Sequence, residues 1–217
     1  MANISTEDYI KHIYKLQRKG EKVTTSALAG SLQLSDASIT DMLKKLSDKG
    51  YVRYKPYQGV DLTQSGKAMA LKIVRRHRLW EMFLVKFLDF SWDQIHGEAE
   101  RLEHVTSNEL EHALDKALGF PTVDPHGDPI PSIDGELDHR VEKALADFEA
   151  GSTVKISRVS DHNPEILQHA TKLGLALNTK LLVKEKMKFD GSMMIKVGTK
   201  EHFLSQQLAR TIFVQQT

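Results

Sequence analysis

Apolar residues recur at helical spacing over residues 5–19, where Tyr9, Ile10, Ile13, Tyr14 and Leu16 share one side and Ser5 or Thr6 can cap the start. Gly20 ends this run. A second short helix is predicted from Thr25 to Leu32. A tight turn at LQLS follows, then a third helix from Ser35 to Lys49 that opens on capping-type Ser and Asp and stops at Gly50. YVRYKPYQGVDLT, residues 51–63, carries the β-branched and aromatic residues of two short strands around a Pro-to-Gly turn. The predicted order is helix, helix, turn, helix, hairpin.

From Gln64 to Leu88 the apolar faces are continuous enough for one long helix that also packs against a partner. Ser91 opens a further predicted helix, SWDQIHGEAERLEHVTS, and Ser107 caps another that ends at Gly119. The segment PTVDPHGDPIP, residues 121–131, holds four of the six prolines and predicts a rigid loop or linker. Beyond Ser152 the period changes to that of strands in VKISRV, LLVKEKMKF, MMIKVGT and RTIFVQ, with a short helix ending near Gly174 and an Asp190-Gly191 hairpin turn. The fold class expected is mainly α with a small β domain, the latter a compact barrel.

Composition narrows the function. At 217 residues and 40% hydrophobic content the chain can form two or three folded domains. No run approaches the roughly 18 apolar residues of a membrane span, and the polar start has no signal-peptide core, so a cytoplasmic protein is expected. With no cysteine, any metal must be held by His, carboxylate, carbonyl or Met. The net charge of +1 hides an asymmetry. Residues 1–78 carry 15 Lys and Arg against 7 Asp and Glu, a surplus of eight, and the remainder has a deficit of seven. That fits a polyanion partner at one end and cations at the other, or an uneven solvated surface.

A DNA-reading helix needs short polar side chains near its N-terminus and cations further along. Ser35, Asp36, Ala37, Ser38, Thr40, Asp41, Lys44 and Lys45 supply that order, with Ile39, Met42, Leu43 and Leu46 facing inward. Arg53, Lys55 and Tyr57 would make the hairpin a wing along the backbone. An ordinary three-helix domain shares the apolar pattern, and the basic surplus favours DNA.

Six of the ten histidines lie between positions 77 and 139. His96, Glu100, Glu103 and His104 are spaced i, i+4, i+7 and i+8, so one helical face would present all four, and His77 and Glu81 form another i, i+4 pair. Mixed imidazole and carboxylate donors suit Mn(II), Fe(II) or Zn(II), and a solvated helix face is the plain alternative. His12, His112, His139, His162, His169 and His202 read as surface or hydrogen-bonded residues, and Met187, Met193 and Met194 as core.

EDYIKHIY at 7–14, GVDLTQSGK at 59–67, RRHRLWEMFL at 75–84, HGEAERLEHVTS at 96–107 and DPHGDPIP at 124–131 together resemble the diphtheria-toxin-repressor and manganese-transport-regulator family. The resemblance runs over essentially the whole chain and favours the three-domain branch. It implies a winged helix-turn-helix over 1–72, a helical metal-binding and dimerisation domain over 73–140, a linker at 141–150 and an SH3-like domain over 151–217. It further implies a primary metal site of Asp8, Glu100, Glu103 and His104. A second site would draw on His77, Glu81, His96 and His126, with Asp161 and Asp124 as further donors. Lys11 stands where a two-domain manganese branch has Glu, which argues against a closely spaced dinuclear centre. Pro164 falls near a Gln used by the iron-responsive branch. Glu100 replaces the Cys of that branch and Asp8 its Met, and harder donors favour manganese.

The expected activity is therefore metal-dependent repression of metal-homeostasis genes by a homodimer on a palindromic double-stranded operator. Mn(II) is the expected corepressor and Fe(II) the alternative. Zn(II), Co(II) or Ni(II) are expected to substitute in vitro, and no membrane partner is expected. Two other classes share some features. A di-iron or di-manganese enzyme would use Glu-x-x-His, present as Glu109 with His112 and Glu136 with His139, but leaves the basic N-terminal region unexplained. A metal-independent regulator would bind an organic effector in its helical core.

Overall fold

The computed structural model describes residues 6–18, 20, 22–56, 58–138, 142–161 and 163–216. The chain divides into two compact units, each built from several stretches of sequence. The first comprises residues 1–77, 103–105 and 131–136, and the second 78–102, 106–130 and 137–217.

In the first unit, helices α1 (Thr6–Arg18), α2 (Thr25–Leu32) and α3 (Asp36–Asp48) precede a hairpin of β1 (Val52–Lys55) and β2 (Gly59–Leu62). The local chemistry matches the sequence pattern. Thr24 caps α2 by accepting from Ala27 N, and Ser35 caps α3 by accepting from Ser38 N. Between them Gln33 turns the chain through φ 54°. β1 and β2 pair antiparallel from Val52 opposite Leu62 to Lys55 opposite Gly59. Tyr9, Ile10, Ile13, Leu28, Ile39, Leu43, Leu46, Val52 and Val60 are buried as the core. Helix α4 (Gln64–Leu88) starts here, and at Gly66 a side chain would meet the Tyr51 carbonyl at 2.1 Å, so only glycine lets the helix approach.

The second unit takes the remainder of α4, then α5 (Ile95–Leu102), α6 (Asn108–Leu118) and the C-terminal sheet. Leu79, Leu118 and Ile130 pack together with Met82 and Phe83. The sheet is antiparallel throughout, in the order β3-β8-β4-β5-β6-β7. Its strands are β3 (Lys143–Ala144), β4 (Thr153–Val159), β5 (Lys180–Lys186), β6 (Met193–Val197), β7 (Lys200–Leu204) and β8 (Ile212–Gln216). Helices α7 (Pro164–Lys172) and α8 (Gln206–Thr211) complete it around a core that includes Val154, Ile156, Leu167, Val183, Met193, Ile195 and Val214. Sequence patterning missed β3, β7 and α8, which are short and lack a long apolar run. Among the described residues no helix is long and apolar enough to cross a membrane.

One difference matters for the site. The predicted helix over 91–107 is shorter in the structure, since residues 92–94 form a turn, α5 spans only Ile95–Leu102, and 103–105 leave the helix. His96 and Glu100 therefore lie on α5, whereas Glu103 and His104 lie in the turn after it, and the four do not share one helical face. The Thr106 hydroxyl donates to the Leu102 carbonyl at 2.7 Å, closing the helix end, and Ser107 caps α6.

Candidate metal centres and DNA-reading face

In the first unit, Glu7 and Asp8, with Lys11 one turn further along α1, meet the 103–105 segment. His104 sits between two carboxylates, with Nδ1 2.6 Å from Glu7 and Nε2 2.8 Å from Asp8. Its Nε2 is also 3.4 Å from Oε1 of Glu103. Glu103 is 0% exposed and is held on both oxygens, Oε1 by the Lys11 ammonium and Oε2 by His77 Nδ1 at 2.5 Å. Donor atoms of Asp8, Glu103 and His104 all lie within 4.8 Å of one another. Burial pushes the His104 pKa down, but the Glu7 hydrogen bond and the fields of Asp8, Glu103 and Glu7 outweigh it, so the net shift is upward.

The second unit gathers another set. Glu81, Asp124 and His126 are all buried, and Glu81 also groups with His96 and Asp161, each set with donor atoms inside 4.8 Å. His96 Nδ1 is 3.5 Å from Glu81 and 4.0 Å from Asp161, and its Nε2 is 3.8 Å from Glu100. Nε2 of His126 donates to the Trp92 carbonyl at 2.8 Å, which leaves the lone pair on Nδ1 in the neutral ring. That Nδ1 has no hydrogen-bond partner among the described residues and stands 4.0 Å from Oε2 of Glu81. These two buried polar atoms face each other at a distance too long for a hydrogen bond, an arrangement that a cation would satisfy. Asp124 accepts from the His126 and Asp128 amides at 2.9 Å each. Desolvation first, and then the charges of Glu81 and Asp128, hold its pKa well above the usual carboxylate value despite Arg78 beside it.

The loop that carries these donors is anchored on the barrel. His126 accepts at its carbonyl from Val159 N at 2.9 Å, and a side chain at Gly127 would meet the Ser157 carbonyl at 2.1 Å. The Trp92 indole stacks on His126 with centroids 5.8 Å apart, and its Nε1 donates to Thr171 on α7 at 2.8 Å.

Of the predicted DNA contacts, Ser35, Ala37, Ser38, Asp41, Lys44, Lys45, Arg53 and Lys55 are exposed and Thr40 is half-buried, whereas Ile39, Leu43 and Leu46 are buried as the inward face. The Ser35 hydroxyl is engaged in capping α3.

This order of elements matches known models end to end. Residues 1–60 match the iron-dependent repressor N-terminal DNA-binding domain, 63–132 the iron-dependent repressor metal-binding and dimerisation domain, and 143–216 the FeoA domain. A solved manganese-dependent transcriptional repressor complexed with manganese superposes with TM-score 0.91 at 35% identity, over 98% of this chain and all of that one. The chain belongs to the iron-dependent repressor family. The manganese regulator SloR is also similar, with TM-score 0.80 and 30% identity over 99% of this chain and all of that one. Among sequences, the diphtheria toxin repressor of Corynebacterium diphtheriae is 28% identical over 220 residues, 98% of this chain and 97% of that protein. The iron-dependent repressor IdeR of Mycobacterium leprae is 29% identical over 192 residues, covering 83% of this chain and 84% of that one.

As a member of this family the chain is a metal-dependent transcriptional repressor with DNA-binding and dimerisation domains and a C-terminal SH3-like FeoA domain. Its metal is a divalent ion. Two residues of the first centre were not singled out as part of it by sequence reasoning, Glu7 on His104 and Lys11 on Glu103. Their only signal was helical spacing, Glu7 to Lys11 being i, i+4. His77, expected in the second site, commits Nδ1 to Glu103 of the first. His12 instead contacts Ser31 at 2.7 Å. Ser5, Tyr57, His139 and His162 lie outside the described residues.

Proposed function

We propose that the repressor is activated by Mn(II), held in the first unit by Asp8, Glu103 and His104. A second ion is held in the other unit by Glu81, Asp124 and His126, with His96 and Asp161 alongside. The observation that carries this reading is the convergence of one α1 carboxylate with the Glu103 and His104 donors inside a single compact unit. The orphaned, fully buried Nδ1 of His126 supports the second centre. All of these donors are carboxylate or imidazole, a set harder than thiolate or thioether and suited to manganese. The similar solved structures described as manganese-dependent support the same choice. The role that the resemblance gives Glu100 rests on the sequence.

A divalent ion supplies positive charge that turns mutual repulsion of carboxylates, about 4 kcal/mol per unit-charge pair at 4 Å in an effective dielectric of 20, into attraction. The chain's own residues convert that into DNA affinity. Asp8 fastens α1 to the 103–105 turn. α1 packs on α2 and β2, and α2 packs on α3, so the position of the recognition helix follows that of α1. In a dimer two such helices must match half-sites about one helical turn apart on a palindromic operator. The exposed Ala37 and Ser38 and the half-buried Thr40 of α3 read bases, and Lys44, Lys45, Arg53 and Lys55 hold phosphates.

Fe(II) is the second reading, favoured by the similarity to iron-dependent repressors of mycobacteria and corynebacteria. Zn(II), Co(II) and Ni(II) fill the same donors in vitro. On this reading the protein is a cytoplasmic regulator of metal-homeostasis genes and turns over no substrate. Operator binding by purified protein against a metal series, with free metal buffered, tests it. Activation by Mn(II) at the lowest effective concentration relative to cellular supply is expected. Equal DNA affinity in every metal and in chelator would overturn it.

A further inference from the structure

Lys11 is 1% exposed, and its ammonium pairs with a carboxylate that is 0% exposed. Two charges taken out of water in this way are costly, and losing either partner strands the other in a dry site. Glu103 therefore requires a positive neighbour whenever no metal supplies one. The oxygen that Lys11 engages, Oε1, is the one that faces His104, 3.4 Å from Nε2. It is thus the oxygen that a divalent ion shared with His104 and Asp8 would use. His77 occupies the other oxygen at 2.5 Å, so Glu103 has no second face to offer.

We propose that Lys11 is a built-in counter-cation that stabilises the metal-free protein and competes with the divalent ion for Glu103, so that its charge sets the affinity of the centre. The inference rests on the reading that Asp8, Glu103 and His104 hold the ion. Two consequences run in opposite directions. The ammonium stabilises the metal-free fold by compensating Glu103, and it weakens metal binding because a unit positive charge stays beside a doubly positive one. A purely structural lysine would instead affect metal-free and metal-loaded protein alike.

The test compares full-length wild type, Lys11→Gln and Lys11→Arg. Mn(II) affinity is read by competition with a fluorescent metal indicator, and thermal unfolding is followed in chelator and in saturating Mn(II). Gln keeps a hydrogen bond to Glu103 without the charge, and Arg keeps the charge. Lys11→Gln is expected to bind Mn(II) at least about tenfold more tightly than wild type. It should unfold at lower temperature in chelator and gain more from Mn(II), and Lys11→Arg should stay within about threefold of wild type in affinity. A Gln variant that folds only when Mn(II) is added supports the same conclusion, since the ion then replaces the missing cation. Wild-type or weaker affinity in Lys11→Gln, with equal losses of stability in chelator and metal, overturns the proposal and leaves Lys11 a structural residue. So does a Gln variant that stays unfolded in both conditions. Wild-type protein that binds no Mn(II) overturns the metal reading itself, and the two failures are distinct.

Discussion

His104 lies between Glu7 and Asp8, and these carboxylates together with Glu103 raise its pKa above the ordinary 6.5 against the opposing effect of burial. The sign follows from linkage. A raised folded pKa gives stabilisation that is complete below 6.5 and is lost as pH rises through the folded value. In chelator, the advantage of wild type over His104→Gln in thermal unfolding should therefore shrink as pH rises above about 6.5. In saturating Mn(II) the trend should reverse, because a metal ligand must be deprotonated. A difference independent of pH in chelator would show that the imidazolium contributes nothing there. The spacing of donors was legible in the sequence, but the pairing of Lys11 with Glu103, 92 residues apart, was not, because no local pattern encodes a contact at that distance.

Among elements, the helices and strands with strong period were read correctly, because burial of one face imposes the period that sequence displays. The early end of α5 was hidden. QIHGEAERLEHV continues a helical pattern, yet Glu103 and His104 are drawn to α1, and Thr106 closes the helix end at Leu102. Tertiary partners override local propensity there. The Pro-rich loop read as a rigid connection, and the structure gives the cause. Its Asp124 accepts two loop amides, and Gly127, at φ +94°, lies against the β4 backbone. Gly127→Ala should cost roughly 1–3 kcal/mol or more of stability, from the strained φ and the close approach to Ser157 together. It should also lower the amount of metal bound, since His126 is adjacent. Calorimetric unfolding with metal analysis checks both, and an unchanged melting temperature would refute the packing described.

At the scale of the whole molecule, the near-zero net charge conceals a basic N-terminal region and an acidic remainder. Affinity for DNA should fall steeply with salt, and Lys45→Ala should reduce the slope of log affinity against log salt by about 1, with little change in operator preference. A salt-independent affinity would contradict a phosphate-holding face. The three family models tile the chain in sequence order, whereas packing groups residues 103–105 and 131–136 with the N-terminal elements. Sequence alone conveyed the first arrangement and not the second. The second puts Glu103 and His104 in the same compact unit as α1 and the recognition helix, which is the basis of the coupling proposed above. The most direct measurement is operator affinity of wild type and Asp8→Ala, each in chelator and in saturating Mn(II), with dimerisation and fold checked in parallel. Wild type should gain roughly 5–150-fold from the metal, the range of an ordinary allosteric coupling. The variant should remain folded and dimeric and lose that gain. A full manganese-dependent gain in Asp8→Ala would contradict the account, because α1 would then not be the link between metal and DNA.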